Sequence, residues 1–508
     1  MLHPARDPVL LGLDLGTSAC KLVAFDADFT LLAQISRAYP VHNPAPGRFE
    51  LDADTVWQAA EDCLRKIAAA PFGPAIRALS VSVQGEAIVP VDRNGRCLAR
   101  APISLDSRAG AEARDLESRL GAASIHAATG QPLSTIPSLP KLMWWRRNEP
   151  MLHEATWKYL CFGELALLRL GLEPAIDVTM AARTMACAIS HGTWWREGLD
   201  AAGIDVGRLA PIRPAGEVQG HIPDAIARPL GLPEHVAVVQ GGHDQPMGAL
   251  GGGVIDPGIA LYSIGTTEAI VATLREFRPT LPAQGIPCYP HVVPGCYVAL
   301  AGSQSGGRVL SWYRQIMAME PRSEPGEDID GVAAMVEEME DALPGGPMLL
   351  PHFAGTGSVL GDESASAALL GLRFETRRGD ILRALLEGIT YEQAIGVDVL
   401  DAAGAGLSTL RATGGGARSP KWLQIKSDVL GRTVEHALVE NAACLGAAML
   451  AGQALGLCPS LRALADRVRV GDCYRARPEH HSLHQRRLGL YRDLYEALRP
   501  YSARLRVH

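Results

Sequence analysis

The sequence predicts an α/β protein built on a duplicated scaffold, and three observations carry that expectation. Strand-like and helix-like runs alternate along the whole chain, the pattern of sheets covered by helices. The apolar run Leu10–Leu13 leads into Asp14-Leu15-Gly16-Thr17-Ser18, and Ile259–Ile264 leads into Gly265-Thr266-Thr267, so one strand-and-loop design occurs twice. At 508 residues the chain also exceeds one ordinary hydrophobic core, so at least two domains are expected. Asp256-Pro257-Gly258 supplies turn chemistry between the halves, which places the domains at residues 1–253 and 254–508.

The elements follow in order. Val9–Leu13, Lys21–Asp26 and Leu31–Arg37 read as a three-strand meander turning at Gly16-Thr17 and Asp26-Ala27-Asp28. A helix is expected from Asp54, as its N-cap, to Ala70, with Val56, Ala60, Cys63, Leu64 and Ile67 as its apolar stripe. Strands follow at Ala78–Val83 and Ile88–Val91, and the Pro- and Trp-containing helical region from Gln131 to Gly203 reads as an insertion. Val236–Val239 leads through Gln240 into Gly241-Gly242-His243-Asp244. Strands at Ile259–Ser263, Ala269–Leu274 and Tyr297–Ala301 echo the first half, and helices are expected at Asp380–Leu400 and Leu483–Leu498. Ala442–Cys458 is the longest apolar stretch; rich in Gly and Ala and containing Gln453, it reads as a buried helix and not a membrane span.

Composition excludes some functions. A net charge of −7 provides no basic field for nucleic acid. The ten cysteines are scattered without a C-x-x-C pair, so they read as buried small residues in a reduced compartment. Met1–Pro8 carries charges and no apolar core, so no secretory leader and a cytoplasmic location are expected.

The two loops are where chemistry is expected. A glycine lets the backbone come close to a ligand, and neighbouring hydroxyls and N–H groups then hold phosphate oxygens. Asp14 at a strand end, with Thr17, Ser18 and Lys21 beside it, suits a carboxylate holding Mg²⁺ against phosphates; the competing reading is a turn aspartate. Asp244 stands at the end of a strand, where open α/β sheets bind ligands, and can take a proton from an attacking hydroxyl or serve as a helix cap. His243 is assigned to structure. Gly414-Gly415-Gly416 passes beneath a flat base or forms a plain turn. His480, His481 and His484 read as a solvated helix face, and side-chain chemistry alone places Glu86 and Asp106 at the surface.

These segments, in this order, resemble the FGGY family of carbohydrate kinases within the actin/Hsp70/sugar-kinase superfamily. Gly12–Ser18, Gly241-Gly242-His243-Asp244-Gln245, Ser263–Thr267, Arg383–Ile389, Gly414–Ala417, Leu139–Trp144 and Glu440 ahead of Leu445-Gly446-Ala447-Ala448 carry the likeness, which runs from Leu10 to Gly452. The resemblance implies a two-domain actin-like ATPase (ribonuclease H-like) fold with a duplicated core and an interdomain cleft. It implies ATP and Mg²⁺ as cofactors and a small sugar or polyol as substrate, with no nucleic acid or membrane partner and a possible homodimer. By the resemblance Asp244 is the catalytic base and Asp14, with Asp244, organises the metal. Thr17, Ser18 and Lys21 form the first phosphate loop; Gly265, Thr266 and Thr267 form the second. Gly306, Gly307, Gly415 and Gly416 lie on the nucleotide side, and Gln84, Glu86, Asp106 and Arg108 on the acceptor side.

The departures concern the acceptor. Glycerol kinases carry Arg-Glu where this chain has Gly85-Glu86, and xylulokinases carry His at the position of Glu86. A Gly-Glu-Arg-x-Pro segment of the family stands here as Gly355–Val359. A ketopentose such as xylulose is the leading expectation, ahead of fuculose, rhamnulose, erythritol or glycerol. The competing class is a non-catalytic ATP-dependent sugar sensor.

Overall fold

The computed structural model describes residues 8–318, 336, 342 and 344–505; the Met1–Pro8 stretch read for a leader lies outside them up to residue 7. Alternating apolar runs form the first sheet: β1 (Val9–Leu15), β2 (Ala19–Phe25), β3 (Leu31–Ala38), β4 (Ile76–Val83), β5 (Val218–His221) and β6 (Ala237–His243). Helix α1 (Ala53–Ala68) follows β3 and packs on β2 and β3 through the predicted stripe. Its cap is Asp52, not Asp54, because the Asp52 carboxylate accepts the Thr55 N–H at 2.9 Å. Helix α2 (Val178–Arg183) belongs to the 131–203 region, and α3 (Asp244–Gly251) leaves β6 directly.

The second sheet comprises β7 (Ile259–Ile264), β8 (Glu268–Leu274), β9 (Cys288–Pro290), β10 (Tyr297–Ser303), β11 (Thr409–Thr413), β12 (Thr433–Ala437) and β13 (Val470–Tyr474). Its helices are α4 (Gly307–Ala318), α5 (Arg378–Ala402), α6 (Pro420–Leu430), α7 (Ala442–Ala454) and α8 (Pro478–Leu505).

The sheet topology demonstrates the duplication. The first sheet runs β3-β2-β1-β4-β6-β5 and the second β10-β8-β7-β11-β12-β13, with β9 added outside β10. In both, the neighbours pair antiparallel, antiparallel, parallel, parallel, antiparallel. The central parallel strands are covered on both faces and read as continuous apolar runs. Each sheet has its own core, one around Leu11, Leu13, Leu79 and Val238, the other around Tyr262, Ile264, Leu410 and Ile389.

The halves are joined by two crossing helices. Helix α7 is apolar all round, as a fully enclosed helix must be, and Cys444–Gly452 are all buried. It crosses α3 backbone to backbone. A Cβ on Gly251 would sit 1.9 Å from the Ala442 carbonyl oxygen, and one on Gly446 2.0 Å from that of Met247. Gly12 of β1 admits α7 in the same way, with the Cys444 carbonyl oxygen 2.0 Å from its missing Cβ.

Two expectations fail here. His484 is fully buried, its Nδ1 2.7 Å from the Tyr391 hydroxyl, because one side of α8 packs against α6 and α5, whereas His480 and His481 are partly exposed. Among the cysteines Cys473 is exposed and Cys97 half-buried; the other eight are buried as expected. Among the described residues no helix is long and apolar enough to cross a membrane.

Candidate active site

The β1–β2 hairpin presents the first loop. Asp14 lies in register with Lys21 on β2 and with Ser82 on β4, whose hydroxyl donates to its Oδ1 at 2.8 Å. Burial raises the Asp14 carboxyl against the lowering effects of Ser82 and Lys21. Thr17 donates to Gln84 Oε1 at 2.9 Å, and the Gln84 amide donates to Gly16 O at 3.2 Å, so Gln84 braces this loop. Ser18 and Lys21 are exposed.

Asp244 is the first residue of α3. Burial, then the charge of Asp14, pushes its carboxyl up to about 7, against Gln245 and Arg183, which lower it. Asp14 and Asp244, on two different elements, thus repel one another. A divalent cation between them would relieve that repulsion, and carboxylate oxygens are the donors Mg²⁺ takes. Among the described residues no three His, Cys, Asp or Glu side chains gather as a closed metal site. Two carboxylates fit Mg²⁺ that draws its remaining oxygens from water and phosphate.

The second loop is assembled from three segments. Gly307 N–H donates to Gly265 O at 2.9 Å and Arg308 N–H to Thr266 O at 3.2 Å. A Cβ on Gly306 would meet Thr267 C at 2.9 Å and the Gly265 and Thr266 oxygens at 3.0 Å, so glycine is required for this contact. Gly414, at φ +88°, lies against Ile264 O. Thr266 and Thr267 are exposed. Gly416 differs from its expected nucleotide-facing position: it is buried, and its missing side chain makes room for Ile264 and Trp422. Gly415 instead lines a cavity of about 650 Å³ with Lys21, Gln34 and Ser36 on one side and Arg418, His436, Glu440 and Asn441 on the other. That cavity brings Lys21, beside the first loop, and the Gly414–Gly415 turn to one space between the halves, bridged by Asn441 Nδ2 donating to Gln34 Oε1 at 2.6 Å.

The acceptor side separates into two groups. Glu86 and Asp106 are both buried, contrary to the surface reading, because each has an arginine partner. Asp106 accepts from Phe49 N, Arg108 N, Arg108 Nε and Arg108 Nη2, which uses both oxygens twice; Arg108 also reaches Glu50 at 2.6 Å. That filled shell makes Asp106 and Arg108 a brace. Glu86, at φ +66°, has one carboxylate oxygen on Arg183 Nη2, and its carbonyl accepts Ser138 Oγ–H at 2.8 Å. Arg183 Nη1 donates to Gln131 Oε1 at 2.8 Å, while Arg183 Nε and Gln131 Nε2 are buried donors without an acceptor among the described residues. The sequence assigns no site role to Arg183, Gln131 or Tyr289. The one available signal was an arginine inside the apolar run Val178–Met185, which had been assigned to an insertion.

A duplicated actin-like fold, two loops of this design and a carboxylate just after β6 define a two-domain ATP-dependent phosphotransferase. Residues 9–251 match the N-terminal domain of the FGGY family of carbohydrate kinases and residues 260–455 its C-terminal domain; the chain belongs to this family. It is 26% identical to a xylulose kinase of Staphylococcus epidermidis over 98% of each chain. It is 28% identical to an autoinducer-2 kinase of Klebsiella pneumoniae subsp. pneumoniae, covering 96% of this chain and 93% of that one. The crystal structure of xylulose kinase from Rhodospirillum rubrum superposes with a TM-score of 0.85 at 25% identity, covering 97% and 99% of the two chains. The chain is thus a sugar kinase acting on a small-molecule hydroxyl with ATP.

Proposed function

We propose that the protein transfers the γ-phosphoryl group of Mg·ATP to a hydroxyl of a small neutral ketose, with D-xylulose the first candidate. The observation that carries this reading is Asp244, a carboxylate just after β6 that is repelled by Asp14 and attracted by Arg183, the partner of Glu86. Asp244 accepts the proton of the attacking hydroxyl, a role worth about 10²- to 10⁴-fold. Phosphoryl transfer needs little covalent help, so the remaining work is positioning and charge neutralisation. Thr17, Ser18 and Lys21 hold phosphate oxygens from one half, and Gly265, Thr266, Thr267, Gly306 and Gly307 from the other. Gly415 lies under the adenosine. Asp14, with Asp244, would hold Mg²⁺, which would supply positive charge against the phosphates. Glu86 accepts from sugar hydroxyls, and Arg183 Nε and Gln131 Nε2 donate to sugar oxygens; Gln84 braces the first loop, and Asp106 and Arg108 brace each other, Glu50 and the Phe49 backbone. The xylulose kinase relatives support the first candidate, and the autoinducer-2 kinase relatives support the substrate of that name as the second.

The test is ADP release in a coupled assay with D-xylulose, autoinducer-2 and other ketoses and polyols, for the wild type and Asp244→Asn. Sugar-dependent turnover that disappears in Asp244→Asn, with ATP binding kept, is the expected result. Sugar-independent hydrolysis without a phosphorylated product overturns the reading in favour of a sensor.

A further inference from the structure

We propose that His243 is a positioning residue that fixes the orientation of Asp244, and that Tyr289 holds it in the one tautomer able to do so. The inference rests on the reading of Asp244 as the proton acceptor. His243 ends β6 and Asp244 begins α3, so the two are fixed at one corner of the chain. The His243 N–H donates to Thr179 Oγ1 of α2 at 2.9 Å, which pins the backbone of that corner.

The imidazole is 3% exposed and has a polar neighbour at each nitrogen. Nε2 lies 3.1 Å from Asp244 Oδ1, and Nδ1 lies 2.8 Å from the Tyr289 hydroxyl oxygen. An ionised carboxylate offers only acceptors, so the ring proton belongs on Nε2. Nδ1 then has only a lone pair, which accepts the Tyr289 O–H. The tyrosine thereby selects the tautomer that points an N–H at the carboxylate.

Tyr289 comes from β9, the outer strand of the second sheet, and is fully buried. Its strand is fastened to the first half, where Cys288 N–H donates to Gly130 O at 2.8 Å. Arg183, the partner of Glu86, stands over the Tyr289 ring at 5.5 Å from its centroid. Acceptor pocket and base therefore share one frame: Glu86, Arg183, Tyr289, His243 and Asp244. The frame also accounts for Gly85, where glycerol kinases carry arginine. A Cβ on Gly85 would lie 2.8 Å from His243 Nε2 and 3.4 Å from Arg183 Nε, so a side chain there would drive the imidazole off the carboxylate.

The experiment uses the full-length protein with ring-¹⁵N histidine, His243→Gln serving to assign the His243 signals. The expected spectrum has His243 protonated at Nε2 with Nδ1 accepting a hydrogen bond, and Tyr289→Phe loses that Nδ1 signature while the fold is kept. With Mg·ATP and D-xylulose, His243→Leu lowers kcat by about 10²-fold, as a small misplacement of a reacting group does, with the acceptor KM unchanged. His243→Gln keeps an N–H donor and retains more of the turnover than His243→Leu. A proton found on Nδ1, or a His243→Leu variant with wild-type kcat, overturns the proposal. The spectrum needs no acceptor, so it decides the tautomer even where D-xylulose is not the substrate. The expected spectrum together with an active Asp244→Asn would instead overturn the reading of Asp244.

Discussion

Lys426 and Glu268 form an ion pair with no exposure of either side chain, directly behind the Gly265–Thr267 loop. Lys426 Nζ lies 2.7 Å from both carboxylate oxygens and 2.7 Å from the Tyr262 hydroxyl. Glu268 begins β8 immediately after Thr267, and its carbonyl accepts the Gln393 amide of α5 at 3.2 Å. Burial pushes the carboxyl up and the ammonium down, each toward neutrality, and their mutual attraction opposes both shifts. The pair thus ties α6 to the strand that carries the loop.

Removing one partner leaves a buried charge unpaired, which costs about 3–5 kcal/mol, whereas replacing both by apolar residues of similar volume is often close to neutral. Lys426→Met is therefore expected to lower the urea midpoint strongly, and Lys426→Met with Glu268→Leu to recover most of it. A single variant as stable as the wild type would refute the pairing.

Glu86 and Asp106 look alike in sequence, but the structure gives them different parts, and their amide variants should separate. Glu86→Gln changes the group proposed to bind the acceptor, so it is expected to raise the acceptor KM while the KM for ATP holds. Asp106→Asn loses bonds to Arg108 and the Phe49 backbone, and hydrogen bonds to charged groups are worth about 1.5–3 kcal/mol each. Its expected signature is a lower Tm, with activity falling in step. Measuring Tm and both KM values on the two variants decides the matter.

The legible and illegible parts of this molecule divide along a physical line. The β1–β2 hairpin and its copy at β7–β8 were readable because apolar strand runs and a glycine turn are local signals, and the duplication makes each support the other. The position of Asp244 just after β6 was readable because a carboxylate after Gly241-Gly242-His243 stands out at the end of an apolar run. The burial of Glu86 was not, because its partner Arg183 lies 97 residues away and nothing local announces the pair. Asp52 was passed over for Asp54 because two aspartates two residues apart offer the same cap chemistry. The burial of His484 depends on where α8 docks, which is a tertiary fact.

The crossing of α3 and α7 predicts a steric failure. With the Met247 carbonyl oxygen 2.0 Å from where a Gly446 Cβ would stand, Gly446→Ala must push the helices apart. Overpacking of this kind costs about 1–3 kcal/mol. The variant is expected to unfold at lower urea and to lose activity, because α7 is the link between the halves. An alanine tolerated without loss in either measurement would show that the helices are not in backbone contact.

Glu164 predicts a pH dependence of stability. It opens the short helix after Cys161, where its Oε1 accepts the Cys161 N–H at 3.1 Å, and burial raises its carboxyl to about 8 from an ordinary 4.5. Between these values the folded chain keeps a proton that the unfolded chain has released, so the unfolded state gains as pH rises. The contribution is fully favourable to folding only below 4.5 and declines until pH passes 8. Glu164→Gln keeps an amide oxygen for Cys161 and has nothing to titrate. Relative to the wild type, its urea midpoint is therefore expected to improve steadily from pH 5 to pH 8. A constant difference between the two proteins across that range would mean that Glu164 is already ionised in the fold.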